Sequence, residues 1–186
     1  SVISLSLNAA NIGVLASGSA DSTVKIWDIA KQANIFTSDH HTSRVKKVEW
    51  NSSDVSIIFS CSDDNTISIL DSRFPGDKIT HKTVPNESVE SACWNVNTPS
   101  QIAYVTDKGN LHLFDARMPE KILASQKVHL SSVNDVKTSR HNLLYTCSED
   151  QFVRIWDLND LSKPLAAKNP KCVIIFINLG KSFLYG

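Results

Sequence analysis

Glycine and proline are scarce in this sequence, six of each in 186 residues, and methionine occurs once. Charge of one sign is lacking too: nineteen basic residues face nineteen acidic ones, so no global field draws the chain onto nucleic acid or an anionic membrane. The longest uninterrupted apolar run, Cys172–Ile177, is six residues, far short of the roughly 20 that a membrane-crossing helix needs. No basic segment followed by an apolar stretch opens the chain, so no secretory signal is read. The first residue is Ser rather than Met, and a piece of a longer protein is expected. What remains is 41% apolar residues, enough for the sizeable core of one folded domain and too many for a disordered chain.

Paired cysteines are also missing. Cys61, Cys93, Cys147 and Cys172 are 32, 54 and 25 positions apart, and without a CxxC pair neither a zinc site nor a redox motif is indicated. Cys61 and Cys147 sit in Ser/Thr-Cys-Ser triplets inside apolar stretches, the setting of a small buried hydrophobe. Unpaired thiols predict a reducing, intracellular location. No GxGxxG or GxxxxGK[ST] loop occurs, so nucleotide-phosphate binding lacks its cradle.

The chain does contain a repeat. SGSADSTVKIWD (17–28), SCSDDNTISILD (60–71), YVTDKGNLHLFD (104–115) and TCSEDQFVRIWD (146–157) share one pattern, and their final aspartates lie 43, 44 and 42 residues apart. An upstream signal keeps step: Val2, Val45, Val89 and Val133 are 43, 44 and 44 apart, two of them opening the strings VKKVEWN and VESACWN. A period of about 40 to 45 residues ending in Trp-Asp marks a four-stranded propeller blade. The local chemistry agrees, with short Val/Ile/Thr/aromatic runs parted by Asp/Asn/Ser/Gly turns and no sustained helical spacing. The fold class predicted is all-β, four blades spanning about 1–43, 44–86, 87–130 and 131–168 with a partial blade over 169–186. Inner strands are expected near 2–7, 45–50, 88–94 and 132–138, and outer ones near 33–37, 78–84, 121–127 and 163–167. A seven-bladed ring takes about 300 residues, so the four blades and the remnant, with strands near 171–177 and 182–186, are expected to be a segment of one.

These motifs resemble the WD-repeat (WD40) β-propeller family over nearly the whole chain. The resemblance implies a structural tetrad: His41, Ser60 and Asp64 in the second blade, with Leu70 in the Trp place; His129, Thr146, Asp150 and Trp156 in the fourth; Ser17, Asp21 and Trp27 in the first. In the third blade the matching positions are Pro85, Tyr104, Lys108 and Phe114, and that blade is expected to rely on packing. LDSRFPGDK (70–78), TDKGNLHLFDARMPEK (106–121), the RIWDL blade that follows and GKSFLYG (180–186) are most similar to the periodic tryptophan proteins of ribosome biogenesis. That likeness implies a non-enzymatic scaffold in the nucleus and nucleolus, binding ribosome assembly factors or ribosomal proteins. Balanced charge gives no indication of pre-ribosomal RNA. A substrate receptor of a cullin-RING ubiquitin ligase, and a histone or chromatin reader, stand beside it as alternatives.

Chemistry is weighed against structure at each constellation. The two His-Ser/Thr-Asp sets resemble hydrolase triads, but a nucleophile must face a pocket with an oxyanion site, whereas these hydroxyls are expected inside a blade; no catalytic residue, metal or cofactor is read. Asn51-Ser52-Ser53 and Asn86-Glu87-Ser88 match the glycosylation pattern, and the intracellular reading argues against their use. Two surfaces remain as partner-binding candidates. One rim gathers the acidic turn residues Asp63, Asp107 and Glu149 with Arg44, Lys46 and Lys47 nearby. The opposite face carries two Asp-x-Arg ends, Asp71-Ser72-Arg73 and Asp115-Ala116-Arg117, whose guanidinium groups suit a carboxylate or phosphate or secure the local turn.

Overall fold

The structure, a computed structural model, describes residues 1–74, 80–84 and 86–169, with the side chains of 80–82 left aside. Cys172, Pro85 and the strands expected over 171–177 and 182–186 lie outside the described residues. Among the described residues sixteen strands form four antiparallel sheets, each of four strands in chain order. The first holds β1 (Val2–Leu7), β2 (Val14–Ser19), β3 (Val24–Asp28) and β4 (Ala33–Ser38). The second holds β5 (Val45–Trp50), β6 (Ile57–Ser62), β7 (Thr66–Asp71) and β8 (Thr80–Thr83); the third β9 (Val89–Trp94), β10 (Gln101–Thr106), β11 (Asn110–Asp115) and β12 (Met118–Lys127); the fourth β13 (Val133–Thr138), β14 (Leu143–Ser148), β15 (Val153–Asp157) and β16 (Ala166–Lys168). Among the described residues no helix is long and apolar enough to cross a membrane.

The repeat period becomes a repeated hairpin. Between second and third strands each turn closes with a bond from the N–H of residue i+3 to the carbonyl of residue i, and the donor residue has positive φ: Ser22, Asn65, Gly109 and Gln151. This is a three-residue loop whose αL residue restores the strand twist. Gly109 is needed on two counts, since φ is +81° and a Cβ there would meet the His129 carbonyl oxygen at 2.3 Å.

Sheets stack face to face in chain order, each innermost strand packing on the sheet before it. Three apolar clusters fill the three interfaces. Ala16, Val24, Ile26, Val48 and Ile58 join the first and second sheets; Phe59, Ile67, Ile102 and Phe114 the second and third; Ala103, Leu111, Val136, Leu144 and Trp156 the third and fourth. Sheets buried on both faces have no reason to alternate apolar with polar, which accounts for runs such as Ile57-Ile58-Phe59. Cys61 and Cys93 lie in these cores, where burial pushes both thiols up to about 12.

Innermost strands are sheet edges, and their outward N–H groups need acceptors. Neighbouring sheets supply them: Ser4 Oγ accepts from Val48 N, Ser6 Oγ from Trp50 N, and Thr138 Oγ1 from Val96 N. Ion pairs run along the same line. Lys47 on β5 reaches over β9 to Asp135 on β13 at 2.7 Å, and Lys137 on β13 returns to Glu49 on β5 at 2.8 Å. Ser91, between them on β9, donates to Asp135 at 2.6 Å and accepts from Lys47 at 2.7 Å. Thus the second and fourth sheets are tied to each other across the third.

The outer strands differ most from expectation. β12 starts at Met118, because the outer edge tolerates Pro119, which has no N–H to give. β16 is confined to Ala166–Lys168, after Pro164.

Candidate functional site

The tetrad positions come together inside the second and fourth sheets, whereas in the first Asp21 stays exposed in its turn, apart from Ser17 and Trp27. In the fourth, His129 Nδ1 faces the Asp150 carboxylate at 2.9 Å and Nε2 faces Thr146 Oγ1 at 2.7 Å, while Trp156 Nε1 donates to the same hydroxyl at 3.1 Å. In the second, His41 Nδ1 lies 2.9 Å from Asp64 and Nε2 2.8 Å from Ser60 Oγ, with Leu70 buried where an indole would stand. In the first, Trp27 Nε1 donates to Ser17 Oγ at 2.8 Å, and Asp21 accepts from Thr23. Each aspartate also closes its own hairpin, Asp150 accepting from Phe152 N and Asp64 from Thr66 N.

Both imidazoles and both hydroxyls are buried, so no substrate carbonyl reaches Ser60 or Thr146. Burial lowers the pKa of His129 against the pull of Asp150, favouring the neutral ring. Burial works against ionisation of Asp150, yet hydrogen bonds from Arg154 and His129 overcome it and hold this carboxyl well below the usual range. Arg154 is a member of the site that the repeat pattern did not single out: its Nη1 donates to Asp150 at 2.8 Å and to the Val128 carbonyl at 3.0 Å. The signal was available as a polar residue three before each final aspartate, Lys25, Ser68, His112 and Arg154.

On the rim, Asp63, Arg44 and Lys46 meet one another. Arg44 Nε donates to Asp63 at 2.8 Å, Lys46 Nζ pairs with Asp63 at 2.8 Å and with Glu90 at 2.9 Å, and Ser88 Oγ takes a further bond from Lys46. A bulge after Val45 turns the Lys46 side chain toward these acids. Lys47 lies apart, within the inner-strand network. Asp107 and Glu149 stand outside this cluster and exposed, Asp107 accepting from Ser88 N and Glu149 lying 3.5 Å from Ser131 Oγ.

At the opposite face both arginines fold back on their own aspartates. Arg73 Nε and Nη2 fork onto Asp71 at 3.0 and 2.5 Å, and Arg117 does the same to Asp115 at 2.9 and 2.6 Å. The Arg117 bonds bring Asp115 down to about 2. Asn51 is buried on this side, donating to the Pro99 carbonyl and accepting from Ser53 N and Asp54 N. Its amide is committed to the fold.

The family model for the WD domain, G-beta repeat, matches residues 2–28, 32–71 and 120–157.

The chain belongs to the WD40 family.

Its WD40 fold matches the crystal structure of the Myceliophteria thermophila Cps50 (Swd1) β-propeller domain, with a TM-score of 0.76 over 89% of this chain and 58% of that one, at 15% identity. The sequence is similar to the histone acetyltransferase type B subunit 2 of Candida glabrata, 26% identical over 84% of the chain. It is likewise similar to the periodic tryptophan protein 1 homolog of Drosophila melanogaster, 24% identical over 85%. To the DDB1- and CUL4-associated factor 7 homolog of Dictyostelium discoideum it is 25% identical over 85%. The chain spans 39%, 35% and 50% of those relatives' lengths.

The WD40 matches pass over 72–119, which holds β8 and the first three strands of the third sheet. Packing alone was expected there, and the structure adds a polar set of different composition. Glu87 accepts from Asn110 Nδ2 at 2.9 Å and lies 3.7 Å from His112 Nε2. The His112 ring stacks on Tyr104 at 4.8 Å, and Tyr104 meets Phe114 edge-on at 5.9 Å. Lys108, at the tetrad-Asp position, contributes its carbonyl, which accepts from Lys127. The replacement was not readable by position, since Glu87 comes from the loop before β9 and not from the matching site at Pro85.

Proposed function

We propose that this chain is part of a non-enzymatic WD40 scaffold of ribosomal subunit assembly, working in the nucleus and nucleolus and binding assembly factors or ribosomal proteins. The observation that carries the reading is the sequence that ends the second repeat and runs through the third. LDSRFPGDK and TDKGNLHLFDARMPEK resemble the periodic tryptophan proteins, and the Drosophila homolog of that name aligns over 85% of the chain. A scaffold role is supported by the chemistry: the His-Ser/Thr-Asp sets that mimic a hydrolase are sealed within sheets, while the loops of both faces stay open to partners. Balanced charge favours protein over RNA as the direct contact.

A second reading rests on a separate observation. Arg73 and Arg117 stand at matching places of adjacent blades with their guanidinium groups outward, as a receptor docking an adaptor of a cullin-RING ligase would hold them. A histone-reading role would use the exposed acids Asp107 and Glu149. Affinity purification of the full-length protein from cells at moderate salt separates the three. Pre-ribosomal proteins and RNA are expected to dominate; a ligase adaptor or histones in their place overturns the assembly reading.

A further inference from the structure

Between the second and third sheets, on the face of the Asp-x-Arg ends, lies a cleft of about 360 Å³. Its volume falls in the range of small-ligand sites, roughly 300–1,000 Å³, which are mostly apolar with a few placed polar groups. Ile57, Ile69, Trp94, Pro99 and Ala116 line it. Trp94 presents carbon only, because its Nε1 is already spent on the Glu49 carbonyl at 3.2 Å. Arg117 and Asp54 are the charged residues of its lining.

The charge there is layered. Arg117 is 75% exposed and Arg73 55%, whereas the carboxylates holding them, Asp115 and Asp71, are 9% and 26% exposed. At each Asp-x-Arg end a visitor therefore meets the guanidinium before its own carboxylate, with the half-exposed Asp54 carboxylate beside Arg73. A side-on fork uses the Nε hydrogen and one Nη2 hydrogen of the five a guanidinium carries, leaving the outer ones free. Arg73 also has Asp54 at 3.9 Å, which partly answers its charge, so Arg117 is the arginine with donors to spare.

We infer that this cleft is a docking site for a protein segment that inserts one bulky apolar side chain against Trp94 while a neighbouring carboxylate bonds the outer edge of Arg117. The proposal rests on the scaffold reading and names a contact for it. An apolar cavity selects a side chain over a phosphate backbone, and an outward guanidinium selects an acidic flank over a basic one.

A displayed library of random twelve-residue peptides, panned on the full-length protein, tests it. Peptides carrying Leu, Ile, Met or Phe with Asp or Glu within about three positions are expected to be enriched. Their binding should fall at least about tenfold when Ala116→Trp fills the cleft, as loss of one buried anchor requires, and again with Arg117→Gln. Leu130→Ser, on the opposite face, should leave it unchanged. Should Ala116→Trp fail to fold, Ser100→Trp in the cleft lining and Arg117→Gln decide the matter. Peptides indifferent to these substitutions, peptides with basic flanks, or no enrichment at all overturn the proposal. If cleft-indifferent peptides accompany a purification rich in pre-ribosomal proteins, the docking site is wrong and the assembly role stands.

Discussion

A single buried hydroxyl organises the fourth sheet. Thr146 Oγ1 takes the Trp156 indole proton and faces His129, whose other nitrogen faces Asp150, so four residues from three parts of the repeat hold one another. Trp156→Ala removes both a core volume and a donor, and should cost about 3–5 kcal/mol in denaturant melts. Phe114→Leu, at the matching place of the third sheet, keeps most of its volume and should cost clearly less. Protonation gives a second test at this scale. The folded pKa of His129 is lowered from 6.5, so the unfolded chain binds more protons below that pH and stability falls as pH drops through it. Melts at pH 7.5 and 5.5 should show this loss, and His129→Gln should lessen the difference between them. These residues were legible through the resemblance to the WD40 family, which carries the tetrad over to fixed offsets in the period. Arg154 was passed over although a polar residue recurs three before each final aspartate, because the residue type at that offset changes from lysine to serine, histidine and arginine.

Strands were the most readable level. Inner and second strands are bounded by turn residues whose αL demands, at Asn65 and Gly109, are written in the side chain. Gly109→Ala meets both a strained φ and the His129 carbonyl, and should lower stability by about 1–3 kcal/mol, read as a shift of the thermal midpoint. The inner-strand ion pairs were illegible. Their members lie 88 residues apart, Lys47 with Asp135 and Glu49 with Lys137, and nothing in a one-dimensional pattern says that β5 and β13 approach each other over β9. Asp135 is kept ionised against its burial by Lys47. Asp135→Ala strands the Lys47 ammonium and should cost about 3 kcal/mol, whereas Lys47→Met with Asp135→Leu should recover most of it. Equal losses from the single and double replacements, in urea melts, would count against the pairing.

At the scale of the whole molecule, three separate apolar clusters serve three interfaces, and stability should behave as a sum of neighbour terms. Ile58→Ala, between the first and second sheets, and Leu144→Ala, between the third and fourth, share no cluster. Their costs should add within about 0.5 kcal/mol; a larger coupling in a double-mutant cycle would show that the sheets yield together. The order of the sheets was readable from the period together with its Trp-Asp ends, which mark successive blades.

The bridge from the second sheet to the fourth has a consequence for how this sequence can drift. A repeat pinned only by its own tetrad must keep its signature or come loose. The third is pinned from outside, by lysine and carboxylate partners that belong to its neighbours and close over Ser91. Freed from guarding its own alignment, it can carry tyrosine and phenylalanine at the serine and tryptophan positions, Tyr104 and Phe114, without losing its place. It is therefore the repeat whose signature positions should tolerate replacement at the least cost in stability.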